Sequence, residues 1–274
     1  MDSKLEDIEI ELLLEAIYRY YNFDFRNYSR LSVKRRIWHM IHLEGLPNIS
    51  ALQEKILHNR DYMERFLHNL SITVTSMFRD PSFYLALRNK VIPTLRTYPF
   101  IRIWHAGCST GEEVYSMAIL LQEEGIYHRC RLYATDINEK VLQHGKAGIF
   151  RLTNMQEYTQ NYLRAGGIKS FSKYYTAAYD SAVFDASLKK NMIFSLHNLV
   201  SDRSFNDFNI IVCRNVLIYF NKTLQASVHK LFYQSLTKFG ILALGRQESI
   251  RFSPHELDYE VLDNDEKIYR SIGN

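Results

Sequence analysis

From residue 100 onward, short apolar runs alternate with segments of helical period, and this alternation constrains the fold more than any other feature. Ile101–Ala106 (IRIWHA) reads as a strand, Val114–Glu124 as a helix, Arg131–Thr135 as a second strand and Glu139–Lys146 as a second helix. Strands follow at Met192–Leu196, Phe208–Cys213 and Ile241–Leu244, with a helix over Leu224–Thr237 before the last of them. Alternation at this spacing predicts a doubly wound α/β fold around a parallel sheet. Tyr259–Leu262 and Lys267–Arg270, around Asn264-Asp265, read as a closing hairpin. Residues 150–190 break the pattern. They exceed what a plain crossover needs, and they carry Gly166-Gly167 and a Tyr-rich stretch from Tyr174 to Phe184. A small inserted subdomain is expected there, a short antiparallel sheet.

The segment before residue 100 is helical in period. Ile8, Leu12, Leu13 and Ala16 fall on one helical face, and Val33, Ile37 and Ile41 on another, with Ser32 as a plausible N-cap. Asp80-Pro81 reads as a helix start, Asp at the cap and Pro at the first turn, with the helix running from Ser82 to about Leu95. The module boundary falls between residues 70 and 100 and is placed at 80.

Charge is uneven in this module. Residues 1–15 hold six acids and one lysine, whereas residues 19–36 hold six bases and one acid. Arg35, His39 and His42 share a helical face, either a solvated basic surface or a docking surface for an acidic partner. The whole chain carries 34 Lys and Arg against 30 Asp and Glu, a net +4 that is too weak to demand a nucleic-acid partner. Three cysteines at wide spacings give no disulfide or zinc pattern and suit a reducing cytoplasm. The acidic N-terminus is unlike a signal peptide, and no apolar run approaches 18 residues, so no membrane insertion is expected.

The first strand runs into Gly107-Cys108-Ser109-Thr110-Gly111-Glu112-Glu113. A glycine turn there lets the backbone approach a ligand at the carboxyl end of the sheet. The spacing is not the dinucleotide fingerprint, and two acids at the helix start would repel a diphosphate. Asp136 lies at the end of the second strand, where an acid accepts from ribose hydroxyls; a helix-capping role is the plainer alternative. A ribose-reading acid beside a loop without phosphate features favours S-adenosylmethionine over a nicotinamide dinucleotide. His197-Asn198-Leu199 and Arg214-Asn215-Val216 follow the third and fourth strands, where amides would meet adenine or the amino-acid end.

Five segments in order, LSITVTSMFRDPSFY, HAGCSTGEEVYS, YATDIN, FSLHNL and CRNVLIYF, resemble the CheR family of chemotaxis receptor methyltransferases. The resemblance covers about residues 10 to 270. It implies a Rossmann-like methyltransferase domain (81–274), a helical receptor-docking domain (1–80) and an inserted β-subdomain. It also implies an enzyme that methyl-esterifies receptor glutamates with S-adenosyl-L-methionine and releases S-adenosyl-L-homocysteine. Carried over residue by residue, it places cofactor contacts at Thr73, Thr75, Arg79, Gly107, Glu112, Asp136, Asn198, Leu199, Asn215 and Val216. Thr73 stands where most relatives carry Asn, and threonine lacks the amide donor. Arg79 and Tyr219 are the expected catalytic residues; Lys34, Arg35 and Arg36 are expected to dock on the receptors' cytoplasmic methylation helices. In some relatives the inserted subdomain grips a receptor tether peptide. No metal site is expected. Two other readings stay open: a cofactor-sensing regulator without turnover, against which Arg79 and Tyr219 argue, and a nucleic-acid methyltransferase.

Overall fold

The computed structural model describes residues 3–273 apart from 71–74. The chain divides into two compact units, residues 1–72 with 217–228 and residues 73–216 with 229–274.

The first unit contains α1 (Ser3–Tyr21), α2 (Arg30–Leu43), α3 (Ile49–His58) and α4 (Arg60–Leu70). The buried stripe of α1 is Ile10, Leu13, Leu14 and Ile17, whereas Ile8 and Leu12, expected on the inner face, are about half exposed. The α1 sequence is apolar on more than one side, so periodicity alone leaves its rotation open. From α2, Val33, Ile37, Met40 and Ile41 are buried, as the spacing predicts. The helix begins at Arg30 rather than after Ser32, and the Ser29 side chain makes no capping bond. Asn48 caps α3 by accepting from Ala51 N at 2.9 Å.

The acids of α1 and the bases that follow it pair with one another. Arg30 meets Asp7 at 3.0 Å and Glu11 at 3.5 Å, Lys34 meets Glu6 at 2.7 Å, and Arg26 meets Glu15 at 2.9 Å. Glu6 also accepts from Trp38 Nε1 at 2.6 Å, and the hydrogen bonds from Lys34 and Trp38 hold its carboxyl below the ordinary range.

In the second unit, residues 75–80 pack with the sheet-bearing core rather than with the helices before them. Met77 and Phe78 are fully buried, and Phe78 N donates to Ser116 Oγ at 2.8 Å. These residues belong to the second compact unit. Pro81 opens α5 (Pro81–Ala86), which passes through a π-helical turn at Leu87–Val91 into α6 (Ile92–Leu95). Asp80 stands at the cap position but makes no capping bond.

The remaining helices are α7 (Glu112–Glu123), α8 (Glu139–Ala147), α9 (Met155–Arg164), α10 (Ala186–Lys189) and α11 (Lys222–Ser235). The strands are β1 (Ile101–Ala106), β2 (Cys130–Asp136), β3 (Ile149–Arg151), β4 (Tyr175–Ala178), β5 (Ser181–Phe184), β6 (Met192–Leu196), β7 (Phe208–Cys213), β8 (Leu236–Leu244), β9 (Tyr259–Asp263) and β10 (Ile268–Ser271). Among the described residues one sheet runs in the order β6-β2-β1-β7-β8-β10-β9. Its first five strands are parallel neighbours, and β10 pairs antiparallel with both β8 and β9. Parallel strands are buried on both faces; accordingly β1 and β7 are almost wholly buried, as is α7 from Val114 to Leu121.

The insertion between β2 and β6 contains a three-stranded antiparallel sheet in the order β3-β5-β4. It also contains a ten-residue helix, α9, which the sequence reading did not anticipate. The buried residues of α9 are Met155, Tyr158 and Tyr162, a helical spacing obscured because two of the three are tyrosines. The insertion is fastened to α7 through Glu123, whose side chain is fully buried. Glu123 accepts from Tyr162, from Tyr174 at 2.8 Å and from the Arg88 guanidinium. Arg88→Met would leave that carboxylate buried without its cation. Removing one partner of a buried pair costs about 3 kcal/mol or more, so urea unfolding should show a loss of that order and early exposure of the insertion to proteolysis.

Candidate functional site

From β1 the chain proceeds to β2 and β6 on one side of the sheet and then returns to β7 on the other side of β1. Order reverses between β1 and β7, and the turns leaving these strands border the crevice in which open α/β sheets bind ligands.

The turn after β1 is tightly specified. Gly107 has φ +75° and Gly111 φ +97°, and between them Ser109 is also left-handed at φ +50°. Gly107 N and Cys108 N both donate to Thr135 O, at 2.8 and 2.9 Å, tying the turn to the end of β2. A Cβ on Gly107 would stand 2.5 Å from Val216 Cγ2, so glycine is required by contact as well as by φ.

The turn after β7 is held by a residue that sequence reasoning missed. Glu248, buried beyond the end of β8, accepts from Asn215 N at 3.0 Å, Val216 N at 2.8 Å and Gly245 N at 2.6 Å. A carboxylate bound by successive amides fixes a turn without help from side-chain packing, here one in which Asn215 is left-handed at φ +62°. An acid past an apolar strand gives no local signal of this role.

Two carboxylates are bound to the glycine turn. Asp136 accepts from Ser109 N and Asn138 N, each at 3.0 Å. The cap of α8 is Asn138, whose side chain accepts from Lys140 N at 3.0 Å; the capping bond is not made by Asp136. Glu112 is buried and accepts from Thr110 Oγ1 at 2.6 Å and from Tyr158 OH at 3.4 Å. Burial raises both carboxyls, against the hydrogen bonds each accepts. Ionising them is thus disfavoured in the folded state. Their contribution to stability is full below the ordinary carboxylate range and is lost as pH rises through the raised values.

Asn198 and Leu199 follow β6, whose Leu196 pairs with Asp136. Asn198 Oδ1 accepts from Val200 N at 3.0 Å, and its backbone N donates to Asp202. Thr75 is half-buried, and Arg79 lies between Phe78 and Asp80, both with positive φ. Thr73 lies outside the described residues. Tyr219 ends the turn Leu217–Tyr219, which groups with the helical unit, and its carbonyl accepts from Ser29 N at 2.7 Å. The structure thus joins Gly107, Glu112, Asp136, Asn215 and Val216 through one set of turns, with Asn198 and Leu199 on the strand beside Asp136.

This donor set fits S-adenosylmethionine. Carboxylates recessed against the glycine turn suit ribose hydroxyls and an amine, and they would repel a diphosphate. Ser109 Oγ is buried with no partner among the described residues, a polar atom awaiting one.

Residues 73–267 match the model of the CheR methyltransferase SAM-binding domain, and residues 8–71 that of the CheR methyltransferase all-alpha domain. The chain belongs to the CheR family. Over 264 residues it is 51% identical to a Pseudomonas putida protein described as a methyltransferase, Cher3, covering 96% of this chain and 97% of that one. It is 26% identical to the chemotaxis protein methyltransferase of Listeria monocytogenes over 95% of this chain and 97% of that one. The corresponding protein of Salmonella typhimurium is 27% identical over 89% of this chain and 85% of its own length. S-adenosylmethionine is accordingly the cofactor of this CheR methyltransferase. No helix among the described residues is long and apolar enough to cross a membrane.

Two substitutions separate ligand contact from folding. Gly107→Ala should abolish binding of S-adenosylhomocysteine in calorimetry, because the added methyl meets Val216. Asp136→Asn should weaken binding at least tenfold, about the value of one hydrogen bond to a charged group, without lowering the thermal midpoint of the free protein. A lowered midpoint would mark Asp136 as a structural cap instead.

Proposed function

We propose that this protein transfers the methyl group of S-adenosylmethionine to glutamate side chains of chemoreceptors in the cytoplasm, setting the adaptation state of a chemotaxis-type pathway. The observation that carries the reading is Asp136 bound to the glycine turn of a CheR SAM-binding domain, with Asn138 relieving it of the capping role.

The reaction asks little acid–base chemistry of the chain. A glutamate carboxylate is already ionised at neutral pH and attacks without a general base. When bound, the cofactor supplies an electrophilic sulfonium methyl. The residues' work is to bind, align and exclude water. Asp136 would hold the ribose and Glu112 the cationic end, with Asn198, Leu199, Asn215 and Val216 beside the adenine and the amino-acid portion. Thr75 and, by the family resemblance, Thr73 would add hydroxyl contacts. Arg79 would hold the cofactor's carboxylate, since pairing it with the nucleophile would blunt the attack. By the family resemblance, Tyr219 would be the residue assigned to the transferred methyl.

For receptor docking, α2 supports a narrower surface than the run of bases predicts. Lys34 is engaged by Glu6, and Arg36 is partly buried, with desolvation lowering its pKa. Arg35 is exposed and forms no ion pair with a described residue. We therefore assign the contact with acidic methylation helices chiefly to Arg35. The edge strand β4, exposed at Thr176, Ala177 and Ala178, would accept a receptor tether peptide as an added strand.

Transfer of labelled methyl to a chemoreceptor cytoplasmic fragment, released as methanol by base, tests the reaction; transfer to RNA but not to the fragment would overturn it. Arg35→Glu should weaken receptor methylation about tenfold, roughly the effect of reversing a rim charge, and leave S-adenosylhomocysteine binding unchanged. Loss of both would point to folding.

A further inference from the structure

Arg214 is a buried cation of the second unit that the proposed mechanism leaves unused. Its side chain is 2% exposed, and it lies after β7 at the same crevice as Asn215 and Val216. A guanidinium cannot give up its proton, so its burial requires partners. Those partners converge on one bend. Arg214 Nη2 donates to Asp80 Oδ2 at 2.6 Å, and Nη1 donates to the Arg79 carbonyl at 3.4 Å. The guanidinium carbon stands 4.1 Å from the centre of the Phe83 ring, in the first turn of α5.

On its other side Arg214 Nη1 meets Glu113 Oε2 at 3.3 Å, while His105 Nδ1 lies 3.0 Å from Glu113 Oε1. Burial alone would raise Glu113, but the His105 hydrogen bond and the Arg214 charge outweigh it and hold the carboxyl below its usual range. Glu113 thus stays charged and anchors Arg214 to the first turn of α7, next to Glu112.

The bend itself is strained. Phe78 and Asp80 flank Arg79, and both have positive φ, at +52° and +55°. Side-chain-bearing residues adopt that region only where the surroundings impose it. At this bend Phe78 N is held by Ser116 Oγ and the Asp80 carboxylate by Arg214. Asp80 makes no capping bond to α5, and its carboxylate instead accepts from Arg214.

We infer that Arg214 is a positioning residue, which locks the Phe78–Asp80 bend to α7 and so presents Arg79 to the cofactor. The inference rests on the reading of Arg79 as a cofactor contact. Lysine would keep the charge but not the planar fork that reaches Asp80, Glu113 and the Arg79 carbonyl together.

Calorimetric titration of the full chain with S-adenosylhomocysteine tests it, using Arg79→Ala, Arg214→Lys and the double variant. Arg214→Lys should weaken binding about tenfold or more, as expected for losing an interaction of a charged group. Because it acts through Arg79, the double variant should bind no more weakly than Arg79→Ala alone. Asp80→Asn, a gentler change at a partly exposed site, should reproduce part of the loss and serves where Arg214→Lys does not fold. Wild-type affinity in Arg214→Lys or, failing its folding, in Asp80→Asn would overturn the inference while Arg79→Ala still binds weakly. Additive losses in the double variant would also overturn it, since a residue acting only on the fold gives them. Wild-type affinity in Arg79→Ala would instead remove the reading beneath the inference, and the inference with it.

Discussion

The close approach of the turn after β1 to the turn after β7 is the constraint on which the rest of the site depends. Val216 fills the space where a side chain on Gly107 would stand, and a single methyl there would overlap it at 2.5 Å. The approach is possible because the two strands are parallel neighbours at the point where sheet order reverses. Once the turns meet, Ser109 is placed to donate to Asp136, and Glu248 is placed to collect the amides of Asn215 and Val216. The contacts of Asp136 with the glycine turn and of Glu248 with the amides of Asn215 and Val216 are thus gathered around one close approach.

Buried acids do different work according to what they accept from. Glu248 takes three backbone amides and shapes a turn. Glu123 takes an arginine and two tyrosines and fastens the insertion to α7. Glu113 takes a histidine and an arginine and stays ionised. Among the described residues Asp136 and Glu112 have no ion pair of this kind, and burial raises them. A carboxylate held at a cost in the free protein is one whose charge a ligand can compensate, a feature more typical of functional sites than of structural ones.

Adjacent acidic and basic stretches in the helical unit illustrate how a charge run can mislead. By composition the bases of residues 19–36 form one cationic surface, but Arg19, Arg26, Arg30 and Lys34 are paired with acids of α1 or with Asp24. Much of the run is spent holding α1 to its neighbours. Which cations face outward depends on the rotation of α1, and its apolar residues lie on more than one side.

The alternation of strands and helices, the glycine turn and the order of the five segments were legible in the chain itself, because period and turn chemistry are local properties. They determined the doubly wound sheet, the family and the neighbourhood of Gly107, Glu112, Asp136, Asn198 and Asn215. Other features were decided only in three dimensions: Asn138 rather than Asp136 capping α8, Asp80 leaving its cap for Arg214, Glu248 clasping a turn 32 residues behind it, and α9 hidden in a tyrosine-rich insertion. Each depends on which of several competent partners a polar group meets. That choice is made by contacts distant in sequence, after the sheet has brought the ends of its strands together.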